Sequence, residues 1–521
     1  MHSLDYIAIV VYLLFTVGLG VWFGRGQSRK EFFAGGGAMT WLPVGLSVMA
    51  TLFSSNSFAF YPAAAYKGTL LIGLSLVSFT LMTPIIVKVF IPMFVRLNCT
   101  TAYEYLEKRF HVSVRCLASG LFIFLRIGWI ASMVFAASLV IATVAGISQI
   151  NVILGVGAIS VGYTMLGGLR AVMWTDVVQF FVFAATIVVS LILIVTHSGS
   201  TAGELTNSYF SGRDGIFVNF EWSMTLQYGS WVILIGVFLE ALSAFGADQV
   251  AVQRYLAAKD EKTAQTGAWV NLAGMWLVVP GLLAIGVGLH GYFQKNPEGL
   301  LPVLEAPGVE LKTDEVPTAA NANQLLLENG LADKAMPQFV KLHFPPGMLG
   351  LFLAAVMAAM MSSLDSGIHS VTTAVVVDFR DRLWPQLKPK EDKRDVFLIR
   401  GLVVLIGAIS IALACLVVLK SESKDIFAVG KLLTSAFGGP LLAIFLLAFF
   451  FKRAGSRAVL IGAVLGAAIT LILIKSPIAE DWFAVWFWPI GTGLAIAISI
   501  PLSYLEQPKA DPLTWWRVVR K

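Results

Sequence analysis

Residues 41–66 read WLPVGLSVMATLFSSNSFAFYPAAAY. The stretch is long and apolar enough to cross a bilayer, whose roughly 30 Å hydrocarbon core needs about 20 residues of helix. Its centre nevertheless carries Ser54, Ser55, Asn56 and Ser57, followed by Pro62. Short polar side chains compete with helical hydrogen bonding, so four in a row predict a local break at mid-membrane depth. A break frees backbone carbonyls where lipid offers them no partner, which membrane proteins tolerate only where those groups line a site or cavity. Secondary transporters build ion and substrate sites on such helices. Hydroxyls back-bonded inside an intact helix would explain one serine, but not this run.

The rest of the chain repeats the apolar theme. Of 521 residues, 57% are hydrophobic and 13% charged, against about 25% charged in a soluble domain. A cytosolic enzyme, a disordered chain and a small secreted disulfide scaffold are thereby excluded. Cys99, Cys116 and Cys415 are scattered and match neither a disulfide framework nor a zinc spacing. The net charge of +6 does not point to nucleic acid, because in a lipid-solvated chain the placement of charge matters more than its sum. Membrane lipid is the expected surrounding.

The same ruler predicts an all-α polytopic protein with thirteen spans, at roughly 4–24, 41–66, 69–95, 116–146, 149–167, 172–196, 230–253, 266–293, 346–377, 396–419, 425–451, 458–474 and 482–505. The first lacks the basic flank and cleavage site of a signal peptide. With the N-terminus outside, about 25 of the 37 Lys and Arg residues fall on the inner side, as the positive-inside rule requires. An even number of spans would break that alternation. The expected placement is a cell membrane, N-terminus outside and C-terminus cytoplasmic. Two polar outer segments, about 197–229 and 294–345, read as loops.

Polar and ionisable residues within spans are costly unless paired or hydrated, and so mark function. Residues 354–370 read AAVMAAMMSSLDSGIHS. Ser362, Asp365, Ser366 and His369 recur at helical spacing on one face, and hydroxyls beside a carboxylate suit a hard cation. Residues 167–179, GGLRAVMWTDVVQ, place Asp176 one turn inside a span with Gln179 a turn further. An interfacial acid favoured by the helix dipole is the plain alternative for Asp176. Residues 238–260, FLEALSAFGADQVAVQRYLAAKD, hold Glu240 and Asp248 two turns apart, with Gly246 and Ala247 as the expected weak point. Gln253 and Arg254 mark the inner exit of that span. Arg126 is a lone cation in the fourth span; it either pairs with Glu240 or Asp248 or meets an anionic solute. There is no Walker loop, zinc-protease motif or nucleophile elbow. A gradient-driven carrier is expected rather than an enzyme or an ATP-driven pump.

These motifs resemble the sodium:solute symporter family. GGLRAVMWTDVVQ and AFGGPLLAIFLLAFFFKRAG (436–455) look like its two signatures, and TAYEYLEKRF (101–110) and DQVAVQRYLAAK (248–259) are similar to its inner-loop motifs. The likeness runs over about 4–505. It implies a LeuT-like core of two inverted five-helix repeats, 41–196 and 230–451, separated by the outer loop 197–229. The loop 294–345 lies within the second repeat. One extra helix and inner loop (1–40) precede the core, and two helices with a cytoplasmic tail (452–521) follow it.

The resemblance further implies a main sodium site at Ala50, Phe53, Ala359, Ser362 and Ser363. A second sodium site, found in some members, maps to Asp176, Ser362, Asp365 and Ser366. One of its serine positions is Asp365 here, which leaves sodium or a proton as the occupant. Na+ is thus the expected coupling ion. The sugar-binding positions of the family map to Leu74, Leu277 and Leu432, all apolar, whereas a sugar site should hydrogen-bond its ligand. The carboxylate-binding arginine of the sialic-acid branch maps to Trp129, with Arg126 one turn earlier on the same face. MTWLPVGLS (39–47) looks like the monocarboxylate, vitamin and iodide branch.

The expectation is sodium-coupled import of a small organic anion by alternating access, with a sodium/sugar symporter and a proton-coupled carrier as alternatives. Candidate solute contacts are Ser54, Asn56, Ser57, Leu70, Leu74, Arg126, Trp129, Phe245 and Asp248. A monomer suffices for this mechanism, and the partners are the solute, sodium and lipid, with no nucleic acid.

Overall fold

A computed structural model describes residues 1–25, 27–52, 55–211, 217–227, 229–306, 309, 311–312, 315–419, 425–507 and 512–520, with the side chains of 52, 55–56 and 425–433 set aside. The described residues form helices and connecting loops. They comprise α1 (Ser3–Phe23), α2 (Trp41–Leu52), α3 (Ser55–Tyr66), α4 (Leu71–Arg96), α5 (Val112–Ala145), α6 (Gln149–Ser198), α7 (Val232–Gly246), α8 (Gln249–Ala257), α9 (Glu261–Lys295), α10 (Ala335–His343), α11 (Met348–Leu383), α12 (Asp392–Leu419), α13 (Asp425–Phe450), α14 (Ser456–Ile474) and α15 (Ala484–Ser503). Among the described residues nine of these are long and apolar enough to cross a membrane, or ten when α7 and α8 count as one bent span. The 50-residue α6 is long enough to cross twice. With it, the α2–α3 pair and α13, the predicted thirteen spans are accounted for.

Lipid reverses the usual amphipathic logic. In α1 the buried stripe is Asp5, Tyr12, Thr16 and Gly20, while Ile7, Val11, Leu14 and Trp22 are exposed. Small and polar residues face the protein because apolar ones are equally well solvated by lipid tails. A Cβ at Gly20 would sit 2.6 Å from Cβ of Tyr163, so this glycine sets the approach of α1 to α6. At the opposite extreme α11 is buried almost throughout, including Ser362, Ser363, Asp365, Ser366 and His369. It is the central post against which α5, α6 and α1 pack.

Three interruptions shape the site. Between α2 and α3 the chain passes through Phe53 and Ser54, which lie outside the described residues. Ser55, Asn56 and Ser57, expected within the break, are helical. The two spans predicted at 149–167 and 172–196 meet at Gly168, whose non-helical φ of 56° and ψ of −163° divide the run Gln149–Ser198 into two helices. That conformation is open essentially to glycine alone. Carbonyls beside the kink keep partners: Gln27 donates to Gly167 at 2.7 Å and Arg400 to Leu166 at 3.1 Å. The third break bends α7 against α8 by 47° at Ala247 and Asp248, within one residue of the expected weak point.

The inner-loop charges predicted from the sequence gather into networks. Asp378 is buried and accepts from Thr101 (2.7 Å), Arg115 (2.8 Å) and Ser119 (2.9 Å). Arg115 also reaches Glu107 at 2.7 Å, and together with Arg382 it holds the Glu107 carboxyl below its ordinary range, against the opposing effect of partial burial. Arg29 pairs with Asp381 and Asp395, tying the first inner loop to the end of α11 and the start of α12.

Candidate functional site

A cavity of about 650 Å³ lies between α3, α4, α5 and α7 and runs towards the segment that contains α10. Its lining includes Ser57, Arg126, Trp129, Phe245, Asp248 and Trp488. The bend between α7 and α8 makes Asp248 the N-cap of α8, where its Oδ1 accepts from the Val250 amide at 2.8 Å. Its other oxygen accepts from Nη2 of Arg126. Of the alternatives open to Arg126 in the sequence, the pairing with Asp248 is therefore realised. The guanidinium is not used up by it: Nε of Arg126 and Nε1 of Trp129 are buried donors without a partner among the described residues. The guanidinium carbon lies 6.0 Å from the Trp129 ring centroid.

Leu70 lies apart from this lining, packed with Ala65 and Tyr209, and Leu74 stands at the end of a short turn before α4 proper, also outside the lining. Leu277 is 61% exposed on the outer surface of α9. Ser54 lies outside the described residues, as do the side chains of Asn56 and Leu432.

A second, very small cavity of about 10 Å³ is lined by Met49, Ala50, Gln179, Phe180, Phe183, Ala359 and Ser362. That is room for about one water-sized sphere. Ser362 Oγ donates to the carbonyls of Ala50 and Ala359, each at 3.1 Å, and Ser363 Oγ to that of Thr51 at 3.4 Å. Gln179 directs its amide nitrogen to Tyr12 at 3.3 Å, leaving its buried Oε1 without a partner. Carbonyl, hydroxyl and amide oxygens around so small a space fit a hard monovalent cation. Phe53, the remaining expected ligand, lies outside the described residues.

The expected second site is arranged differently from the sequence reading. Asp176 and Ser366 do meet, but around the guanidinium of Arg254, which is fully buried. Arg254 donates through Nε to Ser47 at 2.6 Å, through Nη1 to the Val250 carbonyl at 2.6 Å, and through Nη2 to Asp176 at 3.4 Å and to Ser366. Ser47 also donates to Asp176 at 2.5 Å, and Thr51 to Ser366 at 3.1 Å. Asp365 makes no hydrogen bond to the side chains of this cluster among the described residues and accepts from the hydroxyl of Tyr163. Ser362 belongs to the small cavity. Oδ1 of Asp176 and Oδ1 of Asp365 remain buried and without partners among the described residues. Asp176 is thus buried within the protein.

Sequence reasoning missed Tyr163, Ser47 and Thr51, and it placed Arg254 only at an exit. The missed signal was a guanidinium within reach of a buried carboxylate, which becomes visible once the bend at Ala247 swings α8 inward. His369 sits among Phe32 and Phe33 with Nε2 against the Phe32 carbonyl at 2.9 Å, a packing role.

Residues 32–466 match the family described as "Sodium:solute symporter family". The chain is 29% identical over 510 residues to a sodium/sialic acid symporter of Aliivibrio fischeri, covering 97% of this chain and 93% of that one. It is 28% identical to the human sodium-coupled monocarboxylate transporter 1, over 90% of this chain and 72% of the relative. Among solved structures, an outward-open, substrate-bound Na+-coupled sialic acid symporter superposes with a TM-score of 0.85 at 25% identity, covering 97% of this chain and 99% of that one.

Proposed function

This chain belongs to the sodium:solute symporter family, and from that premise we propose that it carries a small organic anion, of the sialic acid or monocarboxylate kind, inward with sodium. Sodium-coupled symport follows from membership. The observation that carries the solute class is Arg126 at the large cavity, with a free Nε beside the free indole N–H of Trp129. A guanidinium holds a carboxylate with directed, charge-assisted hydrogen bonds. Asp248 keeps the arginine oriented and its charge balanced before solute arrives, and the solute carboxylate competes for the donors Asp248 leaves free. The relatives that transport sialic acid and monocarboxylates support the same class. A sugar site is not favoured, because the positions expected to bind hydroxyls are apolar, and of these Leu74 and Leu277 do not line the cavity.

The main sodium site is assigned to Ala50, Phe53, Ala359, Ser362 and Ser363. Sodium there bridges α2 to α11 and so ties the first core helix to the eighth. Solute then spans the two repeats, 41–196 and 230–451, and favours closure of the outer side. Binding drives this cycle only through different affinities for the two states. The N-terminus and the 294–345 segment are placed outside, the basic loops and C-terminus inside. The membrane potential, worth about 2.3 kcal/mol per charge per 100 mV, then favours inward movement of sodium.

Asp365 supports a second reading on the same fold. It forms no ion pair among the described residues, and its buried Oδ1 lacks a partner. A second cation, sodium or a proton, would balance it. One experiment separates the readings: thermal unfolding of purified protein against sialic acids, monocarboxylates, sugars and amino acids, in sodium or potassium and at several pH values. Stabilisation by an anion only in sodium is expected. Stabilisation by sugars, or by anions irrespective of sodium, would overturn the assignment, and stabilisation that follows pH alone would transfer coupling to protons.

A further inference from the structure

Two histidines meet where the end of α6 approaches the end of α10. His197 closes the last turn of α6, and His343 closes α10. Their ring centroids are 4.4 Å apart with a 41° tilt. The hydrogen bonds around them define which nitrogens are free. Nδ1 of His197 lies 2.9 Å from the Leu193 carbonyl. A carbonyl only accepts, so this nitrogen carries the proton and Nε2 keeps its lone pair. Nε2 of His343 lies 2.5 Å from the Tyr292 hydroxyl, which accepts from it when Nδ1 acts as a base. Neither His197 Nε2 nor His343 Nδ1 has a hydrogen-bond partner among the described residues.

A ring that donates one N–H to a carbonyl or hydroxyl while presenting its other nitrogen is the arrangement found behind metal-bound histidine. We propose that His197 and His343 form a two-imidazole site for a borderline transition-metal ion of the zinc or nickel class. Ring nitrogens bind zinc at about 2.0–2.1 Å, and two rings 4.4 Å apart between centroids would share one ion, with water completing the shell because His197 is exposed.

The surroundings agree with a neutral, ligating pair. Partial burial and the neighbouring His197 both hold the His343 imidazole below its ordinary range. Lys295, at the end of α9, is engaged with Ser200. On α10 itself Phe339 packs on the His343 ring at 4.9 Å between centroids, and Lys341 is exposed. From α9, Tyr292 lies 5.1 Å from His343 between centroids.

The site joins elements that matter to access. Asp333, Lys334 and Pro337, in α10 and the turn before it, line the large cavity. A metal between His197 and His343 would pin this segment to the end of α6 and slow movement at the cavity mouth.

The test uses the full chain and zinc chloride. Equilibrium dialysis of purified protein should show one saturable zinc, lost in His197→Ala and in His343→Ala. Tyr292→Phe should keep the zinc but bind it about tenfold more weakly, as loss of a supporting hydrogen bond does. In proteoliposomes, external zinc should slow sodium-dependent uptake and a chelator restore it, while the double variant ignores zinc and retains its uptake. Equal zinc binding by the wild type and the double variant, with both melting alike, would overturn the site. Zinc that binds without slowing uptake would overturn its role at the cavity mouth.

Discussion

Replacing Ser362 by alanine isolates the link between α2 and α11. Without sodium the Ser362 hydroxyl joins the Ala50 and Ala359 carbonyls at 3.1 Å each, and losing such a neutral interaction costs about 1 kcal/mol. With sodium bound the same oxygen becomes a ligand of a charged group, where a lost hydrogen-bond-like contact costs about 1.5–3 kcal/mol. The difference, of order 1.5 kcal/mol, falls on the sodium-bound state. Since 1.4 kcal/mol is tenfold in affinity, the half-saturating sodium concentration should rise about tenfold. Ser363→Ala should raise it in the same direction but less, because Ser362 lines the small cavity and Ser363 is not among its lining residues. The assay is initial uptake rate against sodium at constant ionic strength, with surface expression measured alongside. A sodium curve that superposes on the wild type at equal expression would refute the ligand role of Ser362.

Three further outcomes follow from other parts of the molecule. Arg126→Gln should abolish anion uptake while sodium still raises the melting temperature of the protein; loss of both responses would mean that the substitution had disturbed the fold. Gly168→Ala forces a side chain into a glycine-only backbone conformation with the Phe32 carbonyl 3.0 Å from the new Cβ. It should cost about 1–3 kcal/mol, read as a lower melting temperature with unchanged sodium affinity. The His343 imidazole is held below its ordinary value by burial, so the folded state prefers its neutral form. The stabilisation is present above the unfolded value near 6.5 and is lost as pH falls below it; His343→Gln should flatten that part of a melting-temperature profile.

The parts of this protein that lay open in the sequence are those governed by local arithmetic. Helix length against bilayer thickness located the spans, and Gly246 with Ala247 announced the bend that makes Asp248 a cap. Helical spacing placed Ser362, Asp365 and Ser366 close together on α11. The join at Gly168 was less legible, since a glycine pair in an apolar run reads equally as a loop or a kink. The direction of the expected solute positions was not legible: Leu70 lies just before α4 and Leu74 in its tight first turn, and neither is among the residues lining the large cavity.

The sequence by itself determined that lipid is the solvent, how often the chain crosses it, and which polar residues had to be sheltered there, because an unpaired polar group is costly in hydrocarbon whatever the fold. Partnership did depend on that. Arg254 and Asp176 are 78 residues apart and Tyr163 and Asp365 are 202 apart; a one-residue rotation of any helix involved would separate each pair. Only the packing of α6, α8 and α11 decided that a guanidinium takes Asp176, that a tyrosine takes Asp365, and that Ser362 is left to face the carbonyl of Ala50.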